Sequence, residues 1–171
     1  MSAFYIRTFH KNSFLCIIIS GRDTFGKPDF SQKGIRDING AVDGLGNDFV
    51  KAGSPKVSFD LIGRDTAHTT DGHVYINPSK ITTNYKYASI LFHEYRHAYQ
   101  YFAPYLGSSS RVEHWKKLYG NDYRGEGGYR DAMEYDAYSH QYRMGDASPY
   151  VNDGLGMYYN RMVMKWNKAR N

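Results

Sequence analysis

The sequence predicts an α+β domain in which a small sheet packs on a central helix, and three patterns carry that expectation. From Tyr85 the chain reads YKYASILFHEYRHAYQYF, where Ala88, Ile90, Leu91, Tyr95, Ala98 and Tyr99 recur at three- and four-residue spacing with no Gly or Pro before Pro104. A second helical stretch, GGYRDAMEYDAYSHQYRMG, ends at the helix-stopping Gly145. Upstream of both, KVSFDLIG and GHVYIN alternate apolar and polar residues on either side of the turn-rich RDTAHTTD, which predicts a β-hairpin.

The remaining elements follow in order. FLCIIIS reads as a buried first strand. Its apolar run, Phe14 to Ile19, is short for a signal-peptide core, is followed by no small-x-small cleavage site, and has Leu15 before Cys16 where a lipoprotein signal wants a small residue. Residues 34–53, GIRDINGAVDGLGNDFVKAG, place Ile35, Ile38, Val42, Leu45 and Phe49 on one face, predicting one amphipathic helix despite internal glycines. Asn77-Pro78-Ser79 ends the second hairpin strand and leads towards the helix at 85–102. The terminal YYNRMVMKWNKAR predicts a helix whose Met and Tyr face packs on the core. With 171 residues and no internal repeat, residues 1–171 form one expected domain with a sizeable core.

Composition bounds the function. The 22 basic and 17 acidic residues give a net charge of +5, which suits an anionic partner, but the basic residues are scattered and form no nucleic-acid-binding run. No segment is long and apolar enough for a membrane span, so a soluble chain is expected. The single cysteine, Cys16, rules out an intramolecular disulfide and with it any need for an oxidising compartment. Seventeen tyrosines suit aromatic packing or a cleft for peptides or sugars.

The densest chemistry sits in His93-Glu94-Tyr95-Arg96-His97, which matches the pattern HExxH. Residues four apart on a helix lie about 40° apart in projection, so both imidazoles can grip one zinc ion. Glu94, one position after the first His, then stands where it can take a proton from a water on the metal. Two His and a Glu inside an apolar helix are costly to bury without partners, and a metal supplies one. No His follows within the short interval of the HExxHxxGxxH pattern, so the third ligand comes from further along. Glu134 shares a helix face with Ala137, Tyr138 and Gln141, and the small Ala137 permits close helix approach, so Glu134 is the expected ligand. Asp136 and His140 are the next choices, and Asp136 can alternatively orient a ligand from behind. Tyr138, His140 and Tyr142 are candidate donors to an oxyanion because they lie on or beside the same helix.

HEYRH followed, after a 36-residue gap, by Glu134-Tyr135-Asp136-Ala137 resembles the gluzincin branch of the zincin metallopeptidases, in which a Glu on a later helix completes the site. Where the thermolysin pattern has a carboxylate four residues after that Glu, this chain has Tyr138. GHVYINP ahead of the HExxH helix is similar to the approach in small zincins, including metallopeptidase domains at the ends of secreted bacterial polymorphic toxins. The resemblance covers roughly Ser54 to Gly145. It implies a small zincin-like fold, a zinc cofactor on His93, His97 and Glu134, Glu94 as general base, and a peptide or protein substrate. It also implies a cleft-edge strand at His73, Val74, Tyr75, Ile76 and Asn77, along which substrate lies. The implied setting is a bacterial cytoplasm or export as part of a larger toxin-like system. A zinc-binding regulatory module and a zinc amidase acting on cell-wall peptides are the alternatives; the presence of Glu94 disfavours the former, since structural zinc needs no base.

Overall fold

A computed structural model describes residues 27–101, 111–124 and 127–168, and the strand expected at FLCIIIS lies outside them. The described residues form six α-helices and a three-stranded mixed sheet, an α+β architecture as the sequence predicts.

Ser31 caps the first helix, α1 (Gln32–Ala41), its hydroxyl accepting the Gly34 N–H at 3.1 Å. The single helix expected over 34–53 is in fact two. Val42 turns extended and Gly44 adopts φ +82°, so the chain folds back into α2 (Leu45–Lys51). The glycines that looked tolerable inside one helix are required by the break. A Cβ on Gly46 would lie 2.9 Å from the Asn39 carbonyl, so only glycine lets α2 approach α1 this closely. All the same, Ile35, Ile38, Val42 and Leu45 enter the core and Phe49 packs against it.

The sheet also departs from expectation. Strand β1 (Val57–Ser58) runs parallel to β3 (His73–Ile76), and β2 (Ala67–Thr70), inside the stretch that reads as a turn, pairs antiparallel with β3. Asp71 and Gly72 have φ of +50° and +76°, the signature of a two-residue type I′ turn, so the strand completing the hairpin has to end immediately before them, at Thr70. The strand order β1-β3-β2 puts β3 in the centre, which overturns the edge-strand assignment of His73 to Asn77. Val74 and Ile76 are fully buried, and Asn77 caps a 3₁₀ turn (Pro78–Lys80) by accepting the Ser79 N–H at 3.1 Å.

Helix α3 (Asn84–Tyr101) crosses the sheet with Ala88, Leu91, Tyr95 and Ala98 sealed in the core. After α4 (Arg111–Tyr119), α5 (Tyr129–Arg143) packs on α3, and α6 (Pro149–Lys168) packs on α5. Ala137 is fully buried on α5, as the close approach requires. Gly145, at φ +108°, follows the end of α5 where the sequence places its stop. Tyr138, Val151 and Tyr158 form a second small core between α5 and α6. The expected Met and Tyr packing face of the last helix is narrower than predicted: Tyr158 is buried, while Met157, Tyr159 and Met164 stay about half exposed. Among the described residues no helix is long and apolar enough to cross a membrane.

Candidate metal centre

Helices α3 and α5 meet so that His93, His97 and Glu134 converge. His93 Nε2 and His97 Nε2 are 3.0 Å apart, and Glu134 Oε2 lies 3.5 and 3.4 Å from them. Ligand atoms about 2.1 Å from a tetrahedral centre stand about 3.4 Å from one another, so two edges of this triangle match those of a zinc tetrahedron and the third, between the histidines, is slightly shorter. Among the described residues it is the one His/Cys/Asp/Glu group with the geometry to hold a metal ion.

The hydrogen bonds behind the histidines say which nitrogen faces the site. His97 Nδ1 is 2.8 Å from Gln100 Oε1, and the amide orientation of Gln100 is fixed because its Nε2 donates to the Met133 carbonyl at 2.9 Å and to Asp136 Oδ2 at 2.8 Å. An amide oxygen only accepts, so His97 Nδ1 carries a proton. His93 Nδ1 meets Gln141 Oε1 at 3.1 Å in the same way. Gln141 Nε2 donates to Ser89 Oγ at 2.6 Å, and Ser89 donates to Asp146, which also accepts from the Tyr85 hydroxyl at 3.0 Å. With Nδ1 protonated on both rings, any neutral imidazole here presents a bare Nε2 lone pair to its neighbour and to a carboxylate, and two of them together repel unless a cation sits among them.

A proton is one such cation. Burial, which alone would lower the His97 pKa, is outweighed by the hydrogen bond and charge of Glu134 with the further charge of Glu94, and His97 is lifted to about 9. Burial likewise opposes ionisation of Glu134, but the two histidines overcome it and hold the carboxyl well below the usual carboxylate range. A divalent metal is the other candidate cation, and two imidazoles with one carboxylate suit zinc.

Glu94 is buried, and Thr69 on β2 donates its hydroxyl to Glu94 Oε2 at 2.8 Å. The same hydroxyl lies 3.2 Å from the Glu94 carbonyl, so the sheet fixes both the side chain and its helical turn. A cleft of about 830 Å³ opens over this set, walled by β2 on one side and α5 and α6 on the other.

The other predicted residues divide sharply. Tyr138 lines the cleft, its ring edge-on to His93 with centroids 4.5 Å apart, and its hydroxyl donates to Tyr150 at 3.0 Å. Burial pushes its pKa up, so it stays a donor. Asp136 is no ligand: it takes a two-pronged grip from Arg96 at 2.6 and 2.9 Å and supports His97 through Gln100. Burial opposes its ionisation, yet Arg96 keeps its pKa below the ordinary value. His140 turns away from the cleft and binds Asp48 of α2 at 2.5 Å, and Tyr142 is half exposed outside the cleft lining, so neither is placed to serve as an oxyanion donor. His73 bonds Ser58 at 2.9 Å and stacks on Tyr75, while Val74, Ile76 and Asn77 are buried; none of the five lines the cleft, whereas Ala67 to Thr70 do.

Thr69, Gln100, Gln141, Arg130, Tyr150 and Tyr158 escaped the sequence reading. The two glutamines had a signal of sorts: Gln100 falls three residues after His97, and Gln141 shares the Glu134 face. No family model, curated protein or solved structure matches this chain.

Proposed function

We propose that this chain is a zinc-dependent metallopeptidase in which His93, His97 and Glu134 hold the ion and Glu94 is the general base. The observation that supports this reading best is the convergence of three lone-pair-bearing atoms, 3.0 to 3.5 Å apart, from two histidines whose other nitrogens are committed to buried glutamines. Bound there, zinc supplies Lewis acidity towards a substrate carbonyl and brings proton loss from a water into the neutral range.

The chain's own residues account for the rest. Glu94, aimed by Thr69, accepts the proton of the attacking water and hands it to the leaving amine. Tyr138 and Tyr158 line the cleft, and burial raises the pKa of each, so both stay protonated; the Tyr138 proton is engaged by Tyr150, which leaves Tyr158 to donate to the developing oxyanion. Strand β2, not β3, forms the wall along which an extended peptide can add backbone hydrogen bonds. A buried carboxylate beside the ligand set favours catalysis over a purely structural metal, which needs no base.

The test is cleavage of a mixed peptide library by purified protein. Activity that disappears with a zinc chelator and returns with added zinc supports the proposal. A protein that holds one zinc per chain and cuts no peptide contradicts it.

A further inference from the structure

We infer that the cleft selects peptides carrying a carboxylate close to the bond presented to the metal, an inference that rests on the reading of the site as a zinc peptidase. The observation is the placement of its arginines. Arg130, on the first turn of α5, puts Nε 3.9 Å from Glu134 Oε1, the oxygen that does not face the histidines. That separation is an ion-pair contact but too long for a hydrogen bond, so the guanidinium donors stay available beside the ligand set. Arg64, just before β2, and Arg124, just before α5, line the same cleft, and both are exposed. Neither makes an ion pair with another described residue.

Charge counting sharpens the point. A divalent metal is neutralised by Glu94 and Glu134, and the described lining then holds three guanidinium groups against one further carboxylate, Asp65. A concave, partly desolvated site focuses that positive potential. Guanidinium groups match carboxylates in two-pronged geometry, and cations stand on both sides of the cleft, so a peptide threaded between the walls meets one on either side. The recognised group is a carboxylate, from an acidic side chain or from a free chain terminus.

Binding, not turnover, tests this. Zinc-loaded Glu94→Gln is titrated by fluorescence anisotropy with three labelled peptides of equal length: one with a central Glu-Glu pair and an amidated end, one with Gln-Gln and an amidated end, and one with Gln-Gln and a free carboxyl end. A preference of about tenfold for either carboxylate-bearing peptide over the neutral one is expected, and which of the two binds more tightly identifies the source of the carboxylate. The preference should shrink with salt and fall about three- to fivefold in each of Arg64→Glu and Arg124→Glu, with zinc content unchanged. Arg130→Gln is read alongside; if it releases zinc, the two outer variants decide. Equal affinity for all three peptides, or a preference that survives both charge reversals, overturns the inference. Failure of the wild-type chain to cleave any peptide would count against the catalytic reading while leaving this binding result interpretable.

Discussion

Replacing Gln100 with Leu removes one of the two amide supports while leaving every proposed metal ligand in place. Gln100 is 1% exposed, so Leu fills nearly the same sealed volume, and the change is dominated by lost hydrogen bonds. Asp136 keeps both bonds from Arg96, so the principal orphan is the His97 Nδ1–H, which loses its 2.8 Å acceptor. A buried donor left unpaired costs about 1–3 kcal/mol, which lowers the melting temperature of a chain this size by about 2–12 °C. Zinc affinity should fall by about 10- to 100-fold, because His97 is freed to rotate or to take the other tautomer. Competition against a chelator of known affinity reads the second number and a thermal melt in EDTA the first. Gln100→Glu is the control: it restores an acceptor for His97 but brings a carboxylate against Asp136 Oδ2, so it should recover zinc affinity more than stability. Wild-type zinc affinity in Gln100→Leu would refute the claim that this amide fixes His97.

Other outcomes follow from the same geometry. Thr69→Val, isosteric but unable to donate to Glu94, should keep zinc and lower kcat about tenfold or more with little change in stability, as read by steady-state kinetics and melting. Gly154→Ala should destabilise the fold by about 1–3 kcal/mol in denaturant titration, because its Cβ would sit 2.7 Å from the Tyr138 ring that packs on His93. For pH, the His97 pKa is raised above its ordinary 6.5, so its stabilisation is fully present below about 6.5 and is lost as pH rises through about 9. Melts in EDTA should show that decline, and His97→Gln should flatten it. Glu134 has a depressed pKa, so its contribution is present above 4.5 and is lost as pH falls through its folded value; acid melts of Glu134→Gln should lack that loss.

The parts of this architecture that local pattern specifies were legible in the sequence. The three- and four-residue apolar spacing of Ala88, Leu91, Tyr95 and Ala98 marked α3, and the helix face of Glu134 singled it out from Asp136 and His140. What local pattern does not specify was misread. AHTT has one small apolar residue and three polar ones, so β2 looks like turn; its strand state comes from backbone pairing with β3 across the Asp71-Gly72 turn. Strand order is set by contacts distant in sequence, so the residues of β3 leave edge and interior equally open, and the edge position that the zincin resemblance implies is not the one it occupies. The break between α1 and α2 hides behind a continuous apolar face, because Val42 and Leu45 reach the core from both sides of it. The supports on His93 and His97 are uncharged amides, which carry no sequence signal until their neighbours fix which end faces the ring.

The zinc content and the turnover of one Glu94→Gln preparation, measured side by side with wild type, test the central claim most directly. The account predicts one zinc per chain in both proteins and, in the variant, a loss of peptide cleavage of at least about a hundredfold. Cleavage at the wild-type rate by the zinc-loaded variant, or a wild type that binds no zinc yet cleaves peptides, would contradict it.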